Sequence, residues 1–147
     1  MKVAFGCDPN ATDLKEYLMK EAKAAGYEVV DFPSDDPIYA NVAIAVANSV
    51  VKGEEDRGVL LCGTGIGVSI AANKVPGAYC ACVADIYQAE RATLSNNANL
   101  ISMGAQVLGE KTARSLMLEY LKNDFDPGSR SKPKVDRICE YEEEVTK

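Results

Sequence analysis

The stretch over residues 56–74, DRGVLLCGTGIGVSIAANK, limits what this chain can fold into more than any other. It opens on the apolar run Val59, Leu60, Leu61, short enough to be one buried strand. It turns sharply through Cys62, Gly63, Thr64, Gly65, Ile66 and Gly67, and then reads as a helix over residues 68–73. Glycines at alternate positions leave backbone N–H groups free to point at one spot. The helix that follows directs the positive end of its dipole at the same spot. A tight strand-to-helix turn would by itself explain the glycines, because Val68 stands where a dinucleotide-binding fingerprint needs a third spaced glycine. The thiol of Cys62 and the hydroxyl of Thr64 inside the loop are what make it a candidate for chemistry.

The rest of the chain repeats the alternation. Residues 2–6 read as a first strand, followed by a turn at Cys7, Asp8, Pro9 and Asn10. Asn10 or Thr12 is expected to cap a helix running to about residue 25, with Leu14, Tyr17, Leu18 and Ala22 on one face and Gly26 ending it. A second strand is expected over 27–32, an acidic loop over 33–37, and an Ala- and Val-rich helix over 39–51. The third strand is 58–61 and the fourth 78–83. Asp85 caps a helix to about residue 94. A fifth strand spans 100–103, a helix 109–122, and a terminal helix 133–144 carries Val135, Ile138 and Tyr141 at helical spacing. Short apolar strands alternating with helices imply an α/β fold, a parallel five-stranded sheet with helices on both faces. Ligands of such sheets bind at the carboxyl ends of the strands. Polar loops fit that rule at residues 7–10, 62–67 and 83–85. The terminal helix looks separable from the core and is expected to pack on a second subunit.

Composition narrows the function. A chain of 147 residues with 47% apolar content suits one domain, residues 1–147, with one core. A net charge of −6 argues against nucleic acid or an anionic membrane as the main partner. A small phosphate can still be held by a local basic cluster. No apolar run reaches the length of a membrane span or a signal peptide, so a soluble, cytoplasmic protein is expected. The five cysteines include no CxxC pair, and there is no histidine, so the usual zinc ligand sets are missing. Most of the thiols are expected to be buried and reduced, with Cys80 and Cys82 two apart on one face of a strand.

The segments GCD near the start, CGTGIG with SIAANK and PG in the middle, NNAN before the fifth strand, and GSR leading into a basic helix resemble the ribose-5-phosphate isomerase type B and galactose-6-phosphate isomerase family. The resemblance covers nearly the whole chain. It implies a three-layer Rossmann-like sandwich, a homodimer or homotetramer with active sites between subunits, and no metal, nucleotide or other cofactor. It also implies aldose–ketose isomerisation of a phosphorylated sugar through a cis-enediolate. That chemistry needs a base at carbon and hydrogen-bond donors at the developing oxyanion. By resemblance, Cys62 is the base. Gly63, Gly65, Ile66 and Gly67 supply the anion hole, and Thr64 adds a hydroxyl. Asp8 and the neighbouring Pro9 belong to the substrate-binding corner, with Tyr39 beside it. Ser95 and Asn96 sit near the reacting oxygens, and Arg130 and Lys134 hold the phosphate. A lysine keeps the charge of a family arginine but loses its bidentate fork. Taken singly, Cys62 could be a core thiol, Asp8 a turn cap, Ser95 and Asn96 a polar turn, and Arg130 and Lys134 a solvated face.

The chain departs from the family at three histidine positions, occupied here by Pro9, Ser95 and Ser131. The second is the family's ring opener, and a serine does not shuttle protons at neutral pH without a base beside it. Three expectations follow. The substrate is an open-chain tetrose phosphate, which cannot close a furanose through its phosphorylated oxygen. Or the chain is a galactose-6-phosphate isomerase subunit that needs a partner chain. Or Tyr39, Asp85 or solvent opens the ring slowly. A non-catalytic sugar-phosphate-binding protein is the alternative outside enzymology, although mere binding needs no thiol at Cys62.

Overall fold

The computed structural model describes residues 1–146. Strands β1 (Lys2–Cys7), β2 (Glu28–Asp31), β3 (Arg57–Cys62), β4 (Cys80–Cys82) and β5 (Leu100–Gly104) alternate with helices α1 (Thr12–Ala24), α2 (Tyr39–Val51), α3 (Ile66–Ala72) and α4 (Ile86–Leu94). Helices α5 (Glu110–Leu121) and α6 (Lys132–Thr146) complete the chain. The strands form one sheet in the order β2-β1-β3-β5-β4, and every pairing is parallel.

Side-chain alternation along the strands sorts two cores. Val3, Phe5, Val59, Leu61, Ile101 and Met103 face α1, α4 and α5, where Leu18, Ala92, Leu116 and Tyr120 cover them. Ala4, Leu60, Cys62 and Leu100 face α2 and α3, beneath Val46, Ala47, Val68 and Ala72. The result is the expected three-layer sandwich. Cys7 and Cys62 end adjacent strands yet point to opposite faces.

From β1 the chain winds outward to β2, then crosses back beyond β1 to β3. The winding therefore reverses between β1 and β3, and the carboxyl ends of strands at such a reversal are where α/β sheets take ligands. Asp8 and Cys62 flank that point, since the Asp8 amide donates to the Leu61 carbonyl at 2.9 Å.

Several local expectations are corrected. Neither Asn10 nor Thr12 caps α1. Asp8 accepts from the Asn10 amide at 2.8 Å and caps a 3-10 turn, Pro9–Ala11, that feeds α1, while the Thr12 hydroxyl donates back to the Pro9 carbonyl. Helix α3 starts inside the glycine loop, at Ile66, two residues ahead of the expected 68. Strand β4 is half the expected length because side chains take its backbone groups. Asn73 accepts from the Cys80 amide at 2.8 Å and donates to the Cys80 carbonyl at 2.9 Å, and Asn99 accepts from the Tyr79 amide. Of the five thiols only Cys7 and Cys62 are buried, Cys80 and Cys139 are half-buried, and Cys82 is exposed at the sheet edge. Among the described residues no helix is long and apolar enough to cross a membrane.

Helix α6 is tied to its own chain. One carboxylate oxygen of Glu142 accepts from the Gly77 amide at 3.0 Å and from the Tyr79 hydroxyl at 2.6 Å. Val135 is buried there, whereas Ile138, Tyr141 and Val145 are each half-exposed or more.

Candidate active site

The loop after β3 is held in one shape from two sides. Gly65 takes a left-handed conformation, φ 81°, and a Cβ there would lie 2.8 Å from the Met103 carbonyl carbon, so only glycine fits. A Cβ on Gly104 would lie 2.7 Å from the Thr64 backbone. The buried Ser102 hydroxyl donates to the Gly65 carbonyl at 2.7 Å, and the Ala105 and Gln106 amides donate to the Cys62 and Gly63 carbonyls. The end of β5 therefore clamps the loop from one side. Tyr39, the first residue of α2, closes the other: its phenol lies so tightly against Gly67 that any Cβ there would overlap it.

Within this clamp the Gly65 amide donates to the Cys62 sulfur at 3.1 Å. The Ile66 amide donates to the Thr64 hydroxyl oxygen at 3.2 Å, which leaves the hydroxyl proton free to be donated onward. The loop amides thus do not all converge on an external ligand. One is directed at the sulfur and one at Thr64, and both polarise those side chains. Cys62 is 6% exposed in the single chain. Cys7, on the far face, is pushed up by burial, and burial also pushes the Cys80 thiol up to about 11.

The second group of expected residues lies elsewhere. Ser95 and Asn96 follow α4 and precede β5, so they sit at the amino end of the parallel strands, whereas Cys62 sits at the carboxyl end. A strand length, roughly 15–20 Å, separates the two ends. Ser95, Asn96, Arg130 and Lys134 line one cavity of about 430 Å3 together with Tyr87, Arg91 and Ser131. On α6, Lys132 and Arg137 are paired with Asp136, Glu140 and Glu144. Among the described residues Arg130 and Lys134 enter no ion pair.

The structure thus assembles two constellations. Asp8, Pro9, Tyr39, Cys62, Gly63, Thr64, Gly65, Ile66 and Gly67 form one, and Ser95, Asn96, Arg130 and Lys134 the other. Asp85, considered as a ring opener, has its carboxylate engaged as the α4 cap on the Gln88 amide. Sequence reasoning missed Ser102, Gly104 and Arg91. A serine inside the apolar strand LISMG was the available signal for Ser102, and the four-residue spacing to Ser95 was the signal for Arg91.

Comparison with known proteins agrees with this architecture. The Ribose/Galactose Isomerase family profile matches residues 3–138. The chain is 44% identical to D-erythrulose-4-phosphate isomerase 2 of Mycolicibacterium smegmatis, over 97% of each chain. It is 42% identical to Ribose-5-P isomerase B of Listeria innocua, over 97% of this chain and 98% of that one. Among solved structures, ribose-5-phosphate isomerase B of Clostridium thermocellum superposes with a TM-score of 0.91 at 37% identity, covering 98% of this chain and 99% of the other. On fold, sequence and the glycine-clamped thiol together, the chain belongs to the ribose/galactose isomerase family of sugar-phosphate isomerases.

Proposed function

We propose that this protein interconverts the aldose and ketose forms of a short, open-chain sugar phosphate, with Cys62 as the base. The observation that carries the reading is the Gly65 amide directed at the Cys62 sulfur, at a position that only glycine can occupy. In the forward step the thiolate removes the proton from the carbon next to the carbonyl. The electron pair moves into a carbon–carbon double bond, and the carbonyl oxygen becomes an enediolate oxygen stabilised by the Thr64 hydroxyl and the Gly67 and Val68 amides near the start of α3. The Cys62 thiol returns the proton to the neighbouring carbon. A proton passes between the two enediolate oxygens, so no net atom is gained or lost. No redox partner is required by this balance.

The open-chain assignment rests on Ser95. Its hydroxyl oxygen accepts from Arg91 Nε at 2.6 Å, so it is engaged by a cation rather than by a base that would activate it for ring opening. The likeness to an erythrulose-4-phosphate isomerase supports the same assignment. The separation of the two constellations supports a homo-oligomer in which one protomer's Ser95–Lys134 group faces its partner's Cys62 loop.

Three experiments test the reading. Interconversion should be faster on erythrulose 4-phosphate than on ribose 5-phosphate, and Cys62→Ala should abolish it while sugar-phosphate binding persists. Binding without turnover in the parent protein would mark a non-catalytic binder. Mixing inactive Cys62→Ala with inactive Asn96→Ala protein should restore about a quarter of full activity if dimers reassort freely, because half are mixed and each carries one intact site. No restoration after verified subunit exchange would place both constellations' functions within one chain and sink the shared site.

A further inference from the structure

The cavity beside Ser95 holds a cation that the expected phosphate ligands do not account for. Arg91 lines it together with Arg130 and Lys134, and none of the lining residues is a carboxylate. Three cations around one polar cavity of about 430 Å3 repel one another unless an anion enters. Arg91 is also held in place. Its Nε donates to Ser95 Oγ one helical turn on, at 2.6 Å, which fixes the plane of the guanidinium. Its one carboxylate contact is Nη1 to the adjacent Glu90 at 3.3 Å, with both side chains more than a third exposed, a weak pair that leaves N–H groups of the fork for a ligand. Arg130 and Lys134 reach the cavity from the segment around the start of α6, whereas Arg91 reaches it from α4, tied to the residue that precedes Asn96.

We propose that Arg91 is a third anion ligand of this cavity and sets substrate length, by drawing the phosphate toward the Ser95–Asn96 corner and so favouring a phosphorylated sugar one carbon shorter than a pentose. The choice of sugar rests on the isomerase reading above, while the anion contact rests on the cavity alone. A guanidinium fork grips a phosphate bidentately, which lysine does not reproduce.

The test uses the full-length protein and its variants Arg91→Met, Arg91→Lys and Ser95→Ala. Binding of inorganic phosphate, measured by calorimetry, should weaken about tenfold in Arg91→Met and by an intermediate amount in Arg91→Lys, as expected for loss of one charge-assisted contact. Ser95→Ala removes the tether but keeps the cation, and should lose less than about threefold; a merely structural Arg91 would make Ser95→Ala and Arg91→Met equivalent. For turnover, the ratio of kcat/KM on erythrulose 4-phosphate to that on ribulose 5-phosphate should fall in Arg91→Met, with the change in KM. Unchanged phosphate binding in Arg91→Met overturns the anion contact. Weaker binding with both sugars affected equally overturns the length selection. If the parent protein turns over neither sugar, the isomerase reading fails, and the phosphate titration still decides for or against Arg91.

Discussion

The Gly65 amide points at the Cys62 sulfur at 3.1 Å, and the conformation that aims it, φ 81° with the Met103 carbonyl carbon 2.8 Å from any Cβ, leaves no room for a side chain. In the proposed mechanism, reactivity and backbone shape are therefore one feature. Gly65→Ala should cost about 2 kcal/mol or more, from left-handed strain and the approach to the Met103 carbonyl carbon. For a chain of this size that lowers Tm by about 4–8 °C. Activity should fall far more than stability does, since the amide leaves the sulfur. Thermal melts and kcat on the folded variant check both; unchanged kcat would detach the amide from the chemistry.

Gly67 and Tyr39 are coupled by contact. A methyl on Gly67 would overlap the phenol, so Gly67→Ala must displace either the ring or the start of α3. The obstructing atoms are the outer end of a partly exposed side chain that can swing aside, so the expected cost is about 1 kcal/mol or less. In a Tyr39→Ala background the same substitution should cost less than half as much, because the obstructing ring is gone. A double-mutant cycle by denaturant unfolding measures the coupling, and additive effects would disprove the contact.

Alkaline pH should weaken the fold through Cys80. Burial raises this thiol to about 11 from its ordinary 9.0, so the unfolded chain releases the proton first. The stabilisation is complete below pH 9 and is lost as pH rises to about 11, an effect on the order of 2 kcal/mol. Cys80→Ala should show a shallower decline of stability between those limits, whatever its stability at pH 7. Parallel declines in variant and parent would show that Cys80 is not the group responsible.

The order of elements and the fold class were legible because each apolar run is short and each is followed by a helical period. Sheet order was not, since strand neighbours are chosen by tertiary packing; the clamp of the Cys62 loop by Gly104, Ala105 and Gln106 therefore had no local signal. Strand β4 is shorter than its apolar run because the Asn73 and Asn99 side chains compete with the ladder for backbone groups around Cys80. Strand β3 begins one residue early, at Arg57, a charge that is buried because its guanidinium donates to the Tyr120 and Asn123 carbonyls. Cys62, Thr64 and their glycine loop are legible as a candidate from the residues alone, the other candidate residues only through the resemblance, and it is the topology that sorts them into two ends of the sheet.

Tyr120 connects the core to the Asn96 corner. Its ring is fully buried and its hydroxyl donates to the Ala98 carbonyl at 2.8 Å, just after Asn96 and the left-handed Asn97. Burial pushes the phenol well above its ordinary value, so it remains a donor through the whole physiological range. Tyr120→Phe keeps the packing and strands the carbonyl, which should cost about 1–3 kcal/mol and lower Tm by about 2–4 °C for each of them. The substrate consequence is separable. With the Ala98 carbonyl released, the turn bearing Asn96 loosens, and KM for the sugar phosphate should rise while phosphate binding at Arg130 and Lys134 is kept. Loss of stability with KM unchanged would confine Tyr120 to the core.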